Sequence, residues 1–277
     1  MTHPVVSKLF RSVVAGAVLL ALFATATPSL IAHAQASANA KPTIVLVHGA
    51  WADGSSWEGV ISRLQRDGYT VLAPPNPLRG IDADATYLAG FLKTINGPIV
   101  LVGHSYGGMV TSAAATGNEE VKALVYVDAY VPDAGDSVLS LTSERPGSRL
   151  SPDAFAAVPF KSAAGGDADL YIKPAAFESV FASDLPRATA DAMFAAQRPF
   201  ANSALSEKAS GAPAWKSIPS WYLIGDADRV IPPATQLAMA QRAKANVTHV
   251  NGGHTALVSH PDQAAAVILA AAKSVTR

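Results

Sequence analysis

Ser105 stands in Gly103-His104-Ser105-Tyr106-Gly107, a serine with a glycine two residues away on either side. A serine hydroxyl is a weak nucleophile unless it is held out on a sharp turn beside a base. Small residues at 103 and 107 let such a turn form, and Gly108 lets a following helix pack closely on a sheet. The pattern is G-x-S-x-G, which is common by chance and gains weight only from its context. Here an apolar run (99–102) precedes it and a run of small residues follows it. A base must come from elsewhere in the chain, and histidine is the commonest choice. Of the seven histidines, His254 is best placed, because the glycines of Asn251-Gly252-Gly253-His254-Thr255 make a loop able to aim the ring. His249 falls inside an apolar run, His260 opens the last helix, and His3 and His33 lie near the N-terminus. His48 and His104 sit in Gly-rich turns, where structural hydrogen bonds are their expected role. An acid must orient the imidazole and stabilise its charged form. Asp226 and Asp228, in Gly225-Asp226-Ala227-Asp228-Arg229, and Asp128, which closes another apolar run, are the candidates.

Acyl transfer also needs two N–H groups aimed at the developing oxyanion. Tyr106, directly after the nucleophile, supplies one. The loop His48-Gly49-Ala50-Trp51 supplies the other, from Ala50 by position, with Trp51 as the alternative. Gly49 lets the backbone approach substrate closely. Gly49 and Trp51 are therefore the candidate substrate-binding residues. The Trp57 side chain fits either a pocket wall or the buried face of a helix.

Composition removes several other chemistries. There is no cysteine, so thiolate nucleophiles, disulfides and Cys-ligated metals are excluded. The histidines do not cluster at ligand spacing and no H-E-x-x-H occurs, so no metal site is expected. No Walker A or G-x-G-x-x-G element is present, and no cofactor is expected. The 21 basic and 21 acidic residues cancel without forming a Lys/Arg-rich run, so neither nucleic acid nor an anionic membrane is an expected partner. The expected partner is a small-molecule substrate, and the oligomeric state stays open.

The elements that must position these residues alternate in type. Apolar runs at 43–48, 69–73, 99–103, 121–128, 220–225 and 247–251 read as strands buried on both faces. Helices are expected at 56–67, 84–95, 106–116, 233–245 and 261–273. In the first of these, Trp57, Val60, Ile61 and Leu64 fall at the spacing of one helical face, and Gly68 stops it. Alternation of this kind implies a parallel sheet with helices on both faces. Between 133 and 214 the rhythm breaks into an Ala/Ser/Pro/Gly-rich stretch too long for a simple loop. It reads as a helical cap, with short helices at 152–157, 174–182 and 186–197. Phe155, Phe160, Phe177, Phe181 and Phe194 in this stretch are candidates either for pocket walls or for cap packing.

The N-terminus carries Lys8 and Arg11, an apolar stretch over 12–26, and small-x-small sites ending at Ala34 and Ala36. This is the layout of a secretory signal peptide, too short in its apolar part to span a membrane comfortably. Residues 1–36 are therefore expected to be removed from a secreted or periplasmic protein, leaving 37–132 and 215–277 as the two parts of a core around the cap.

Five motifs in this order, VHGAW (47–51), GHSYGG (103–108), VDAYVPD (127–133), GDADRVIPP (225–233) and GGHTALVSHP (252–261), resemble the α/β-hydrolase superfamily. Within it they resemble the branch of bacterial esterases related to plant hydroxynitrile lyases and methyl-salicylate-type esterases. Gln197-Arg198-Pro199-Phe200 is similar to that branch as well. The resemblance implies an α/β-hydrolase fold whose mostly parallel sheet has six strands, with the cap inserted after the fourth. It also implies that Asp228 is the acid, with Asp226 bracing its turn, although some members of the fold use the position of Asp128. Hydroxynitrile lyases of the branch carry lysine directly after the catalytic histidine and threonine after the first-loop histidine. This chain has Thr255 and Gly49 there, which points to a carboxylesterase. The same scaffold also carries lactone opening, carbon–carbon bond and amide hydrolysis, perhydrolysis and, in some receptors, ligand binding without catalysis.

Overall fold

The computed structural model describes residues 41–162 and 165–276; the signal-peptide reading lies outside them. Six strands form one parallel sheet: β1 (Thr43–Val47), β2 (Val71–Leu72), β3 (Ile99–His104), β4 (Val121–Val127), and further along the chain Ser220–Gly225 and Asn246–Val250. Side chains alternate between the two faces. Val45, Val47, Leu101, Leu124, Tyr126 and Tyr222 join one core, and Ile44, Leu46, Val100, Val102, Val125 and Leu223 join the other. That alternation explains why each strand reads as an unbroken apolar run: a sheet covered on both sides has no polar face.

Helix α1 (Glu58–Arg66) and the C-terminal helix (Pro261–Val275) cover the second face, through Trp57, Val60, Leu64, Ala264, Val267 and Ile268. Helices α2 (Ile81–Leu92) and α3 (Gly107–Ala114) cover the first, together with the helix Pro233–Arg242. Burying a side chain the size of Val60 or Leu64 contributes about 1.5–3 kcal/mol, so these two apolar stripes hold the layers together. Helix α2 begins three residues earlier than its sequence suggests. The reason is distant in the chain: the Glu207 carboxylate accepts from the N–H groups of Ile81 and Asp82, both at 2.9 Å, and so satisfies the exposed first turn.

Strand order is β2-β1-β3-β4, then Ser220–Gly225, then Asn246–Val250. The chain runs outward from β1 to β2 and then returns to the other side of β1 as β3. This reversal leaves a crevice beyond the carboxyl ends of β1 and β3, the usual ligand position in such sheets. It brings the His48–Trp51 loop beside Ser105.

The segment between β4 and the fifth strand of the sheet corrects the expectation of a helical cap. It contains a second sheet, with β5 (Phe155–Ser162) and β6 (Gly165–Ile172) pairing antiparallel and β7 (Phe200–Ala201) adding to β6. The helix expected at 152–157 is one 3₁₀ turn (Pro152–Ala154) that runs directly into β5. These strands are rich in Ala, Gly and Asp, so they lack the β-branched signature of strands. Pro159 is tolerated because β5 lies at the sheet edge. The other two expected helical regions are present, as a turn of helix at Pro174–Ala176 leading into Phe177–Phe181, and as the helix Arg187–Ala196.

The cap is fastened to the core by named bonds. The Trp51 indole Nε1 donates to the Leu170 carbonyl (2.9 Å), Ala201 N donates to the Leu78 carbonyl (3.1 Å), and the Arg79 guanidinium pairs with Asp169 (2.5 Å). Gln197 behaves like one more strand residue: its side-chain amide accepts from Ile172 N (2.9 Å) and donates to Ile172 O (3.1 Å). Among the described residues, no helix is long and apolar enough to cross a membrane.

Candidate active site

Ser105 follows β3 at φ +52°, in the left-handed region that a serine occupies only where the surroundings enforce it. Here its carbonyl accepts from Gly108 N (2.9 Å) and Tyr130 N (3.2 Å), while its own N–H donates to the Val127 carbonyl (3.3 Å). The turn is also closed by contact. A Cβ at Gly49 would lie 2.6 Å from the Ser105 Cβ, and one at Gly107 would lie 2.6 Å from the Val47 carbonyl oxygen. Both positions must therefore be glycine for the first-strand loop to abut the serine.

The Ser105 Oγ lies 2.9 Å from His254 Nε2, and His254 Nδ1 lies 2.8 Å from Asp228 Oδ2. All three residues are buried. Asp228 Oδ1 accepts from the N–H groups of Val230 (2.7 Å) and Ile231 (3.0 Å), and Oδ2 also accepts from Gln236 Nε2 (2.7 Å). These donors replace the water that the carboxylate gives up on burial. A carboxylate accepts, so His254 Nδ1 carries the hydrogen and Nε2 turns its lone pair toward the serine.

The rival acids stand elsewhere. Asp226 is half exposed and pairs with His249 Nδ1 at 2.7 Å. Asp128 is fully buried, yet its carboxyl accepts from Gly225 N (2.7 Å) and Ala256 N (3.2 Å) and makes no bond to His254. It ties the end of β4 to the end of the neighbouring strand and to the chain beyond His254. Burial first, and then the Asp228 charge, raise its carboxyl well above the usual range.

The other two histidines near the serine are structural, as their turns suggest. His104 Nε2 donates to the His254 carbonyl (2.8 Å), so its Nδ1 is the bare nitrogen; burial holds its pKa well below the ordinary value and it stays neutral. His48 Nδ1 donates to the Gly49 carbonyl (2.9 Å), and its Nε2 accepts from Asn76 N (2.9 Å). Burial pushes its pKa down to about 4 from 6.5. As pH falls, the unfolded chain therefore takes this proton first. The stability that neutral His48 supports is complete above pH 6.5 and is lost toward pH 4, a loss of about 3 kcal/mol. Asp84 and Asp128, raised by burial, act with the opposite sign. Comparison with His48→Gln isolates the effect. Between pH 7 and 4, urea-derived stability should fall about 3 kcal/mol further in the wild type than in the variant. Equal falls would show that His48 does not carry it.

The serine opens into a cavity of about 320 Å³. Ala50, Tyr106 and Trp51 line it beside Ser105, and Tyr130, Phe155, Leu170, Phe200, Leu205 and Val230 make much of its remaining wall; among the described residues, no charged side chain lines it. Among the described residues, the Ala50, Trp51 and Tyr106 N–H groups donate to no protein acceptor. They are thus available to an oxyanion. The Tyr106 ring is fixed by its hydroxyl, which donates to Asp84 Oδ2 at 2.8 Å. The Trp51 ring stacks on Phe155 (5.3 Å, 22°) and meets Phe200 edge-on (5.6 Å).

Gly49 does not line the cavity; it lies behind the serine. Trp57 is fully buried on the opposite core face. Of the five candidate phenylalanines 155, 160, 177, 181 and 194, Phe155 reaches the cavity. Phe177 packs against both Phe181 and Phe194, Phe181 lies against His254 (5.3 Å), and Phe160 lies under the Arg79 guanidinium (5.3 Å). Phe200, which does line the cavity, was signalled only by its place in Gln197-Arg198-Pro199-Phe200.

Comparison with known proteins bears on the same stretch of chain. The model of the Alpha/beta hydrolase family matches residues 44–267. A carbendazim hydrolyzing esterase of Nocardioides sp. (strain SG-4G) is 36% identical over 110 residues, 35% of this chain and 46% of that protein, so the match spans less than half of that relative's length. Alpha/beta hydrolase nvfD of Aspergillus novofumigatus (strain IBT 16806) is 28% identical over 243 residues, 80% of this chain and 93% of its own. Among solved structures, polyneuridine aldehyde esterase aligns with a TM-score of 0.72 at 19% identity, covering 83% of this chain and 99% of that one. At that identity the likeness is one of fold.

Proposed function

The chain belongs to the alpha/beta hydrolase family, and from that membership and its site geometry we propose that it is an exported serine carboxylesterase acting on small to medium uncharged esters. The observation that carries this reading is the buried relay from Asp228 through His254 to Ser105, opening on an apolar cavity with no charged side chain lining it among the described residues. In the proposed reaction, Ser105 Oγ attacks the ester carbonyl carbon while His254 Nε2 takes its proton. The carbonyl oxygen becomes negative against the Ala50 and Tyr106 N–H groups. Asp228 holds the ring orientation and stabilises the imidazolium. Collapse of the intermediate breaks the ester C–O bond, and His254 gives its proton to the leaving alcohol. Water, deprotonated by His254, attacks the acyl-enzyme, and the acid departs as Ser105 regains its proton. No cofactor enters these steps. Export is part of the reading and rests on the layout of residues 1–36.

Cavity size supports a modest substrate, since about 320 Å³ lies at the small end of the ~300–1,000 Å³ common for ligand pockets. On nitrophenyl esters, kcat/KM should rise by about fourfold per methylene, the worth of one buried CH₂, through the shortest acyl chains. It should then fall once the chain outgrows the cavity. A fluorophosphonate should label Ser105 alone. Absence of both turnover and labelling would remove the enzymatic reading, and preference for charged esters would remove the substrate class.

A further inference from the structure

Asp184 lies in the cap, in the turn between Phe177–Phe181 and the helix Arg187–Ala196. Its carboxylate does not face the cavity. It reaches the loop that carries His254: Asp184 Oδ2 accepts from Gly253 N at 2.6 Å and from Ser259 Oγ at 2.5 Å, and Oδ1 accepts from Thr255 Oγ1 at 3.2 Å. The residues on either side of His254 are thus held by one cap side chain. The approach is close: a Cβ at 253 would lie 2.7 Å from Asp184 Oδ1, so any larger residue there would push the carboxylate aside. Three residues earlier in the same turn region, Phe181 packs against the His254 ring with centroids 5.3 Å apart. From the core, His104 holds the His254 carbonyl (2.8 Å) and Asp128 holds Ala256 N (3.2 Å). The loop around the imidazole is therefore gripped from two sides, and one grip belongs to a different layer of the molecule.

We propose that Asp184 is a positioning residue through which the cap sets the His254 loop, so that the relay to Ser105 is in register only while the cap is seated. This rests on the serine-esterase reading above. Asp184 touches neither substrate nor reacting atoms. Its effect passes through the placement of Nε2, where a displacement of about 1 Å can cost ~10²-fold in rate.

The bonding pattern separates hydrogen bonding from charge. Asparagine in place of Asp184 can keep all three bonds, its carbonyl accepting from Gly253 N and Ser259 Oγ and its amide donating to a turned Thr255 hydroxyl. Alanine keeps none. The test combines steady-state kinetics on nitrophenyl butyrate with proton NMR of the far-downfield resonance of the His254 Nδ1–H held by Asp228. Asp184→Ala should lower kcat by about 10- to 100-fold with KM within about twofold, and should broaden or abolish the resonance. Asp184→Asn should restore most of kcat and the resonance. A folded Asp184→Ala protein with wild-type kcat and resonance would overturn the proposal, and so would an asparagine variant as impaired as the alanine one. If Asp184→Ala does not fold, Thr255→Val combined with Ser259→Ala removes two of the three donors and leaves the carboxylate in place. A wild-type kcat and resonance there would equally overturn it. If the wild type turns over no ester, the esterase reading fails, while the resonance in wild type and variants still decides the role of Asp184.

Discussion

Ser105→Ala is expected to fold normally, to melt within a few degrees of the wild type, and to lose about 10⁶-fold in kcat on a nitrophenyl ester, the scale on which removal of an activated serine acts. The loss follows from what the elbow holds. The Oγ lies 2.9 Å from His254 Nε2 and is the atom that the proposed relay would activate. The backbone around it, bonded to Val127, Gly108 and Tyr130, does not depend on the hydroxyl. Thermal melting and steady-state kinetics on the same preparation check both halves. Appreciable turnover in the folded variant would mean that the chemistry belongs to another group, and the whole assignment would go with it.

The second large effect is expected at Asp228 and not at the two aspartates that compete with it in sequence. Asp228→Asn should lower kcat by about 10⁴-fold, because an amide at Oδ2 no longer selects the tautomer with the hydrogen on Nδ1. Asp226→Asn should leave kcat within about twofold, since a half-exposed pair with His249 contributes little. Asp128→Asn should act on stability. It places an amide group opposite the Gly225 or the Ala256 N–H, and a buried donor left unpaired costs about 1–3 kcal/mol. Kinetics and urea denaturation on the three variants separate these outcomes. A 10⁴-fold loss at Asp128 with none at Asp228 would reassign the acid.

How far these residues could be found without coordinates depends on where their signals lie. The strands carrying Ser105 and the Gly225–Asp228 turn announce themselves, because a two-sided sheet demands continuous apolar runs and the turns that end them demand glycine. The choice among Asp128, Asp226 and Asp228 is different. All three follow strands of one sheet, and local sequence does not say which carboxylate meets an imidazole 26 residues beyond Asp228. The hairpin of β5 and β6 was hidden for the opposite reason. Its strands are half exposed and built on Ala, Gly and Asp, so neither alternation nor β-branched content marks them. The start of α2 depends on Glu207, more than a hundred residues away, and the grip of Asp184 on Gly253 spans 69 residues. A carboxylate before Leu185-Pro186 reads in sequence as an ordinary turn residue. Only the folded chain shows what it holds.

The insertion between β4 and the fifth strand has a further consequence for how the molecule comes to be active. About 90 residues separate the two neighbouring strands. Closing so long a loop costs only about 2 kcal/mol more than closing one of ten residues, because the penalty grows with the logarithm of length. At equilibrium, then, the interruption is cheap. Its burden falls on the rate of folding, since the contact between Ser105 and His254 joins points 149 residues apart and contacts of such range form late. A chain emerging with its N-terminal half first can hide β1, β3 and α3 while the imidazole is still unmade. Ser105 and His254 can therefore meet only after the chain has extended through Asn246–Val250 and the loop beyond it.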